Sequence, residues 1–225
     1  MPEGPHIVSD VMTRTVVAVR WDARFKEIVR AMDRSKVSAL PVLEGDGRVI
    51  GVVSAADLLP KEEFHDSAPS LYEQRQRLPD IAKAEAATAE EVMSTPAITV
   101  HGDVTLARAA RIMAVRHVKR LPVVDDEGVL KGIVSRGDLL KVFLRPDEDI
   151  EEEVRRTVVS YLFPAVSHSI HVNVHEGVVA LRGRVHDTSL IPAAVRLVRA
   201  VEGVVDVIPQ LTGEPAAPEG AEGVW

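Results

Sequence analysis

The residues of this chain best placed to do chemistry are two serine–aspartate pairs, Ser54 with Asp57 and Ser135 with Asp138. They lie in near-identical stretches, Gly51-Val52-Val53-Ser54-Ala55-Ala56-Asp57 and Gly132-Ile133-Val134-Ser135-Arg136-Gly137-Asp138, each joining a β-rich run to an apolar helical pattern. At such a junction serine is a good N-cap, and a carboxylate three residues on sits in the first turn, near the positive end of the helix dipole. The leading glycine lets another backbone or a flat ligand approach the strand closely. Ser-x-x-Asp is also a capping box, and in that reading it does no more than start a helix.

Other chemistry is thin. The chain has no cysteine, which removes disulfides, thiolate nucleophiles and thiolate metal sites. It has no nucleophile elbow, P-loop, dinucleotide glycine fingerprint or His-Glu-x-x-His, so no catalytic residue is assigned and no enzymatic activity is expected. His168, His171, His175 and His186 are half of the eight histidines, and His171 and His175 share a strand face. A metal held by imidazole and carboxylate is one reading. Exposed positions on the open face of a small sheet is the other, and no metal site is assigned. With 4% aromatics and an acidic run at 147–153, nucleic acid is not an expected partner.

The elements that must position the two pairs are duplicated. A single offset of 81 residues maps Asp57 onto Asp138, Val11-Met12 onto Val92-Met93, Asp22 onto Asp103, Leu40-Pro41 onto Leu121-Pro122 and Gly47 onto Gly128. It also carries the apolar stripe Phe25, Ile28, Val29, Met32 onto Leu106, Ala109, Ala110, Met113, so a helix face repeats with the loops. Each copy reads strand, helix, strand, strand, helix. In the first copy the strands are Thr15–Val19, Ala39–Leu43 and Arg48–Val53, Asp22 caps the first helix, and the second helix begins at Ser-x-x-Asp. Residues 60–87 form a charged connection, part helical from Pro79 to Ala87.

A third unit follows from about Glu148. Ile150, Val154, Val158 and Leu162 predict a helix ending before Pro164. His171–His175 and Val178–Val185 predict a hairpin about a Glu176-Gly177 turn. Pro192–Val201 predicts a helix with Ala193, Leu197 and Val201 on one side, and Val204–Leu211 a closing strand. Of the formal charge of −7, −6 falls after residue 144. The run Asp147 to Glu153 suits the solvated first turns of a helix. The tail from Thr212 is expected to be disordered. With no apolar stretch near the ~20 residues a membrane span needs and no signal-like N-terminus, a cytoplasmic protein is expected.

On these residues the chain resembles two known families. The paired units resemble CBS domains, through Val11-Met12-Thr13, Leu40-Pro41-Val42 and Gly51–Asp57 with their counterparts Val92-Met93-Ser94, Leu121-Pro122-Val123 and Gly132–Asp138. The third unit is similar to a BON domain, through Gly177–Val185 and Val201–Val207. The implied architecture is α+β / α/β: pseudo-symmetric CBS repeats of β-α-β-β-α at 1–60 and 88–145 joined by 61–87, then an αββαβ BON domain at 148–213 and a tail at 214–225.

The CBS resemblance implies a cleft between the repeats that binds an adenosyl ligand, AMP, ADP, ATP or S-adenosylmethionine, as a regulatory ligand and not a catalytic cofactor. Ser54 with Asp57 and Ser135 with Asp138 would hold ribose hydroxyls, since a carboxylate accepts from both hydroxyls of a cis-diol. Val16, Val17, Ile98 and Val100 would pack against the base. The Leu-Pro prolines, Pro41 and Pro122, and the residues before them would line the cleft: Lys36, Val37, Ser38 and Ala39, and His117, Val118, Lys119 and Arg120. The second copy's cations, with Arg136 in place of Ala55, could take phosphates, which makes the half-sites unequal. A homodimer through the repeats is implied, and the BON unit, net +2 over 154–213, is implied to contact phospholipid or a partner protein. Two functions remain open: a non-enzymatic sensor transmitting ligand binding to the BON unit, and a ligand-free dimerising scaffold that presents it.

Overall fold

The structure is a computed structural model, and it describes residues 6–64 and 77–213. The chain divides into two units, Met1–Leu139 and Leu140–Trp225. The disordered tail expected from Thr212 is not borne out at Thr212 and Gly213, which lie in a strand, and from 214 onward it falls outside the described residues, as do residues 65–76 of the connection.

The first unit holds two three-stranded sheets of the same plan. In the first, β1 (Val19–Arg20) runs parallel to β2 (Ala39–Glu44), and β3 (Arg48–Ser54) returns antiparallel. In the second, β4 (Val100–His101), β5 (Arg120–Val124) and β6 (Leu130–Ser135) do the same. The symmetry extends to irregularities: the β2–β3 register slips between Val42 and Leu43, and the β5–β6 register between Val123 and Val124, 81 residues on.

Around the sheets lie α1 (Val8–Val11), α2 (Phe25–Ser35), α3 (Ala55–Glu63), α4 (Leu78–Glu85), α5 (Ala89–Val92), α6 (Leu106–Val115) and α7 (Arg136–Leu139). The sequence pattern named the right elements but misplaced details. The expected Thr15–Val19 strand shrinks to β1, so Val16 and Val17 precede the sheet. Asp22 does not cap α2: it pairs with Arg20 at 3.1 Å in the preceding turn, and Arg24 occupies the cap position. The equivalent cap in the second copy is Thr105, whose hydroxyl accepts from the Arg108 N–H. On the helix stripe, Ile28 and Met32, and Leu106, Ala109 and Met113, are buried, whereas Val29 and Ala110 face out.

The two repeats exchange their lead-in segments. Val8 and Ser9 donate backbone hydrogen bonds to Val104 and Gly102, and, 81 residues on, Ala89 and Glu90 donate to Ala23 and Trp21. Thr13 bridges to Ile133 on β6, and Ser94 to Val52 on β3. The core beneath the first sheet therefore combines Val19, Ile28, Met32, Leu40, Val42, Val53 and Leu58 with Ala86, Ala89 and Val92 from the other lead-in. This crossing explains the motif glycines: a Cβ on Gly132 would stand 2.6 Å from Met12 Sδ and 3.1 Å from the Thr13 carbonyl oxygen. A Cβ on Gly51 would collide with Met93 Sδ and stand 3.1 Å from the Ser94 carbonyl oxygen.

The second unit begins with a 3₁₀ turn, Leu140–Leu144, followed by α8 (Asp147–Val154), a π-helical stretch Arg155–Val159 and α9 (Ser160–Leu162). The π turn inserts a residue into the helix period, so Val158 and Val159 are both buried and Phe163 joins them, with Leu162 only half-buried. β7 (His171–His175) and β8 (Val178–Val185) form the expected hairpin, with β9 (Asp206–Gly213) parallel to β8. Glu176 and Gly177 have φ of 48° and 74°, as a tight primed turn requires. Asp147 is more than a solvated charge, because its carboxylate accepts from the Glu176 and Gly177 N–H groups at 2.8 and 2.9 Å. On α10 (Ile191–Arg199) the buried side is Ala194 and Val198, one position on from the predicted Ala193 and Leu197. Val172, Val179, Leu181, Val207 and Leu211 complete this separate core.

Candidate functional site

Each Ser-x-x-Asp pair sits where its β-strand ends and its helix starts, because the strand's hydrogen-bonding partner stops there. Ala39 pairs with Ser54, and Arg120 with Ser135, as the last rungs of their ladders. The aspartate then turns back on the serine. Asp57 Oδ2 accepts from the Ser54 N–H at 2.8 Å and from its Oγ at 2.6 Å. Asp138 Oδ2 accepts from the Ser135 N–H at 2.9 Å and its Oγ at 2.7 Å, while the Asp138 N–H donates to Ser135 Oγ at 3.3 Å. The capping role of both pairs is therefore realised, and it fixes each carboxylate at the mouth of the strand–helix turn.

At the first pair that mouth opens into a cleft of about 380 Å³. Its walls come from both repeats: Ser38 and Ala39, Val52, and Ser54 to Asp57 from the first, and Ser94, Pro96 to Ile98 and His117 to Arg120 from the second. Apolar side chains, Ala39, Val52, Pro96, Ala97 and Ile98 among them, make up much of the lining, and Lys119 and Arg120 bring cations to it beside His117. Arg120 donates to Ser38 Oγ at 2.7 Å, which links the repeats across the cleft. Asp57 Oδ1 is also engaged: Lys83 Nζ of α4 donates to it in a short ion pair, and Ser94 Oγ lies 3.5 Å away.

Of the residues singled out from the sequence, the structure brings Ser38, Ala39, Ser54, Asp57, Ile98, His117, Val118, Lys119 and Arg120 together here. The others stand elsewhere. The offset of 81 places Val16 and Val17 opposite Ala97 and Ile98, and Ser135, Asp138, Arg136, Lys36 and Val37 at positions matching Ser54, Asp57, Ala55, His117 and Val118. By the repeat they are counterparts of this cleft's residues on the symmetry-related side. There the Arg136 guanidinium turns back to donate to the Val118 carbonyl oxygen at 3.1 Å. Lys36, with a left-handed φ of 53°, ends α2 and pairs with Asp33 at 2.9 Å, well exposed.

Three further side chains stand outside this cleft as well. Val100 is buried within the second sheet, paired with Val123. Pro41 and Pro122 are buried inside β2 and β5, opposite Val52 and Ile133. The missing proline N–H is tolerated there because β1 and β4 are two residues long and pair only with 42–43 and 123–124. The Leu-Pro signature thus belongs to the sheet.

Sequence reasoning missed Val52, Ala55, Ala56, Ser94, Pro96 and Ala97. Ala97 was within reach, as the counterpart of Val16 under the repeat offset. Lys83 had no signal, since it lies in the connection between the duplicated stretches. Among the described residues no group of histidines and carboxylates could hold a metal, and His171 and His175 are exposed on β7. Among the same residues no helix is long and apolar enough to cross a membrane.

Comparison with known proteins agrees with this geometry. The CBS domain family model matches residues 8–61 and 89–145, and the BON domain model residues 146–215. The protein MJ1426 of Methanocaldococcus jannaschii, itself uncharacterised, is 30% identical over 154 residues, covering 61% of this chain and 91% of that protein. The chloroplastic CBS domain-containing protein CBSX2 of Arabidopsis thaliana is 27% identical over 163 residues, 66% of this chain and 68% of that one. The crystal structure of CBSX2 in complex with AMP superimposes with a TM-score of 0.55 and 28% identity, covering 62% of this chain and 97% of that chain. The chain belongs to the CBS domain family, as a tandem CBS pair followed by a BON domain.

Proposed function

We propose that this protein is a non-enzymatic sensor whose CBS pair binds an adenosyl ligand in the cleft at Ser54 and Asp57, and whose BON domain meets the regulated partner. The observation that carries this reading is the composition of one cleft: a capped carboxylate, an apolar wall and a cluster of cations within about 380 Å³. The carboxylate suits a ribose cis-diol, Val52, Ala97 and Ile98 suit the adenine faces, and His117, Lys119 and Arg120 suit a phosphate. AMP is therefore preferred to S-adenosylmethionine, whose sulfonium would face those cations. The relative CBSX2 has been crystallised with AMP.

The exposed Val29 and Leu59, which line an apolar groove between α2 and α3, support a homodimer through the repeats. Ligand can alter the BON domain's behaviour only if one arrangement of the repeats binds it better than another. Thermal-shift measurements with AMP, ADP, ATP, S-adenosylmethionine and NADH test the sensor reading. Stabilisation by AMP that disappears in Asp57→Ala is expected. No shift with any of the five favours the ligand-free scaffold.

A further inference from the structure

Asp57 has fewer free lone pairs than its place in the cleft suggests. A carboxylate offers about four acceptor positions. The Ser54 N–H and Oγ fill those of Oδ2, Lys83 occupies Oδ1, and Ser94 Oγ stands 3.5 Å from the same oxygen. The backbone bond from Ser54 is the start of α3 and stays. A vicinal diol that takes Asp57 through both hydroxyls therefore needs the position Lys83 holds.

Lys83 comes from α4, an element held more by polar contacts than by buried side chains. Among its described residues none is buried, and Leu78 is largely exposed. It lies antiparallel along α3 through polar contacts: Arg77 reaches Glu63 and Asp80, and Lys61 donates to the Ala84 and Ala86 carbonyl oxygens at 2.8 Å each. Asp57 and Lys83 are 12% and 23% exposed, which makes theirs the most enclosed ion pair along this helix pair. Helices held by exposed ion pairs and not by apolar burial are the parts of a fold that open most readily.

We propose that Lys83 is an intramolecular competitor for the ligand: α4 docks through Asp57, and an adenosyl ligand displaces it by taking that carboxylate with its ribose hydroxyls. This rests on the ligand-binding reading above and adds to it a ligand-operated release of the inter-repeat helix.

The test uses the full chain, with adenosine and AMP as probes. Adenosine has the diol without the phosphate, so a lysine that competes is distinguished from one that binds phosphate. Lys83→Met, which keeps the stem and removes the charge, is expected to tighten both probes about fivefold, the scale of one part-screened ion pair. Hydrogen exchange on the wild-type protein provides a second reading that needs no variant: AMP is expected to accelerate exchange of the amides of α4 while slowing those around Ser54. Unchanged or weaker binding in Lys83→Met, or α4 amides that AMP leaves alone or protects, overturns the competition with ligand binding itself intact. Failure of both proteins to bind either probe overturns the binding reading and the competition together.

Discussion

At the scale of single residues, the two serine–aspartate pairs were legible because chemistry and capping ask for the same types at the same spacing. What could not be read was which further groups each carboxylate meets. Lys83 reaches Asp57 from a segment outside the repeat, so no comparison of the copies could reveal it. Pro41 and Pro122 were misjudged for the opposite reason: they are conspicuous in both copies, yet what they mark is where the pairing with β1 and β4 begins, not the cleft. Arg120 carries a prediction at this scale. If its guanidinium meets the phosphate, Arg120→Ala weakens AMP about tenfold and leaves adenosine within about twofold, since a hydrogen bond to a charged group is worth roughly 1.5–3 kcal/mol. Equal losses for both probes in calorimetric titration would instead make Arg120 a brace for Ser38, to which it donates.

Secondary elements were predicted well where an apolar period was long and poorly where neighbours decide. Both β-hairpins of the repeats and the hairpin of the BON domain stand where alternation and turn residues put them. The buried face of α8, Ile150 and Val154, was read correctly, but Leu162 beyond it and the face of α10 were misassigned, because a π turn and a shift of one residue are set by packing against the BON sheet, which local sequence does not encode. The exchange of lead-ins was likewise invisible, although the motif glycines were its trace. Gly132→Ala is expected to destabilise the first unit by about 1–3 kcal/mol, as overpacking does. Met12→Ala in the same chain should recover part of that loss in chemical denaturation. Absence of recovery would place the conflict at the Thr13 carbonyl, 3.1 Å from the added Cβ.

Two carboxylates of the first unit give it an expected dependence on pH. Glu91 accepts from the Ala87 and Thr88 N–H groups, and these bonds hold its carboxyl below the ordinary carboxylate range. Asp125 is lowered in the same way, by Lys131 first and by the backbone N–H groups of its turn. A carboxylate depressed on folding stabilises the native state above its unfolded pKa, and that contribution is lost as pH falls through the folded value. The melting temperature of the first unit is therefore expected to drop on acidification below the usual carboxylate range. A flat profile through that range would show that these bonds add nothing to stability.

For the molecule as a whole, the first unit's Ile28–Leu58 core and the BON core built on Val154, Val179 and Val198 share no residue. Differential scanning calorimetry should resolve two transitions, with AMP raising the one that belongs to the CBS pair and leaving the other in place. A single transition raised as a block would show that the units unfold as one. Where the basic residues of the second copy lie was only partly foreseeable. The sequence assigned extra cations to the second copy, whereas folding carries His117, Lys119 and Arg120 to the first copy's aspartate. The most direct test of the account is calorimetric titration of AMP into the full chain and into Asp57→Ala and Asp138→Ala. One site per chain, abolished in Asp57→Ala and retained in Asp138→Ala, is the predicted result. Binding that survives Asp57→Ala unchanged, or that is lost only in Asp138→Ala, would contradict it.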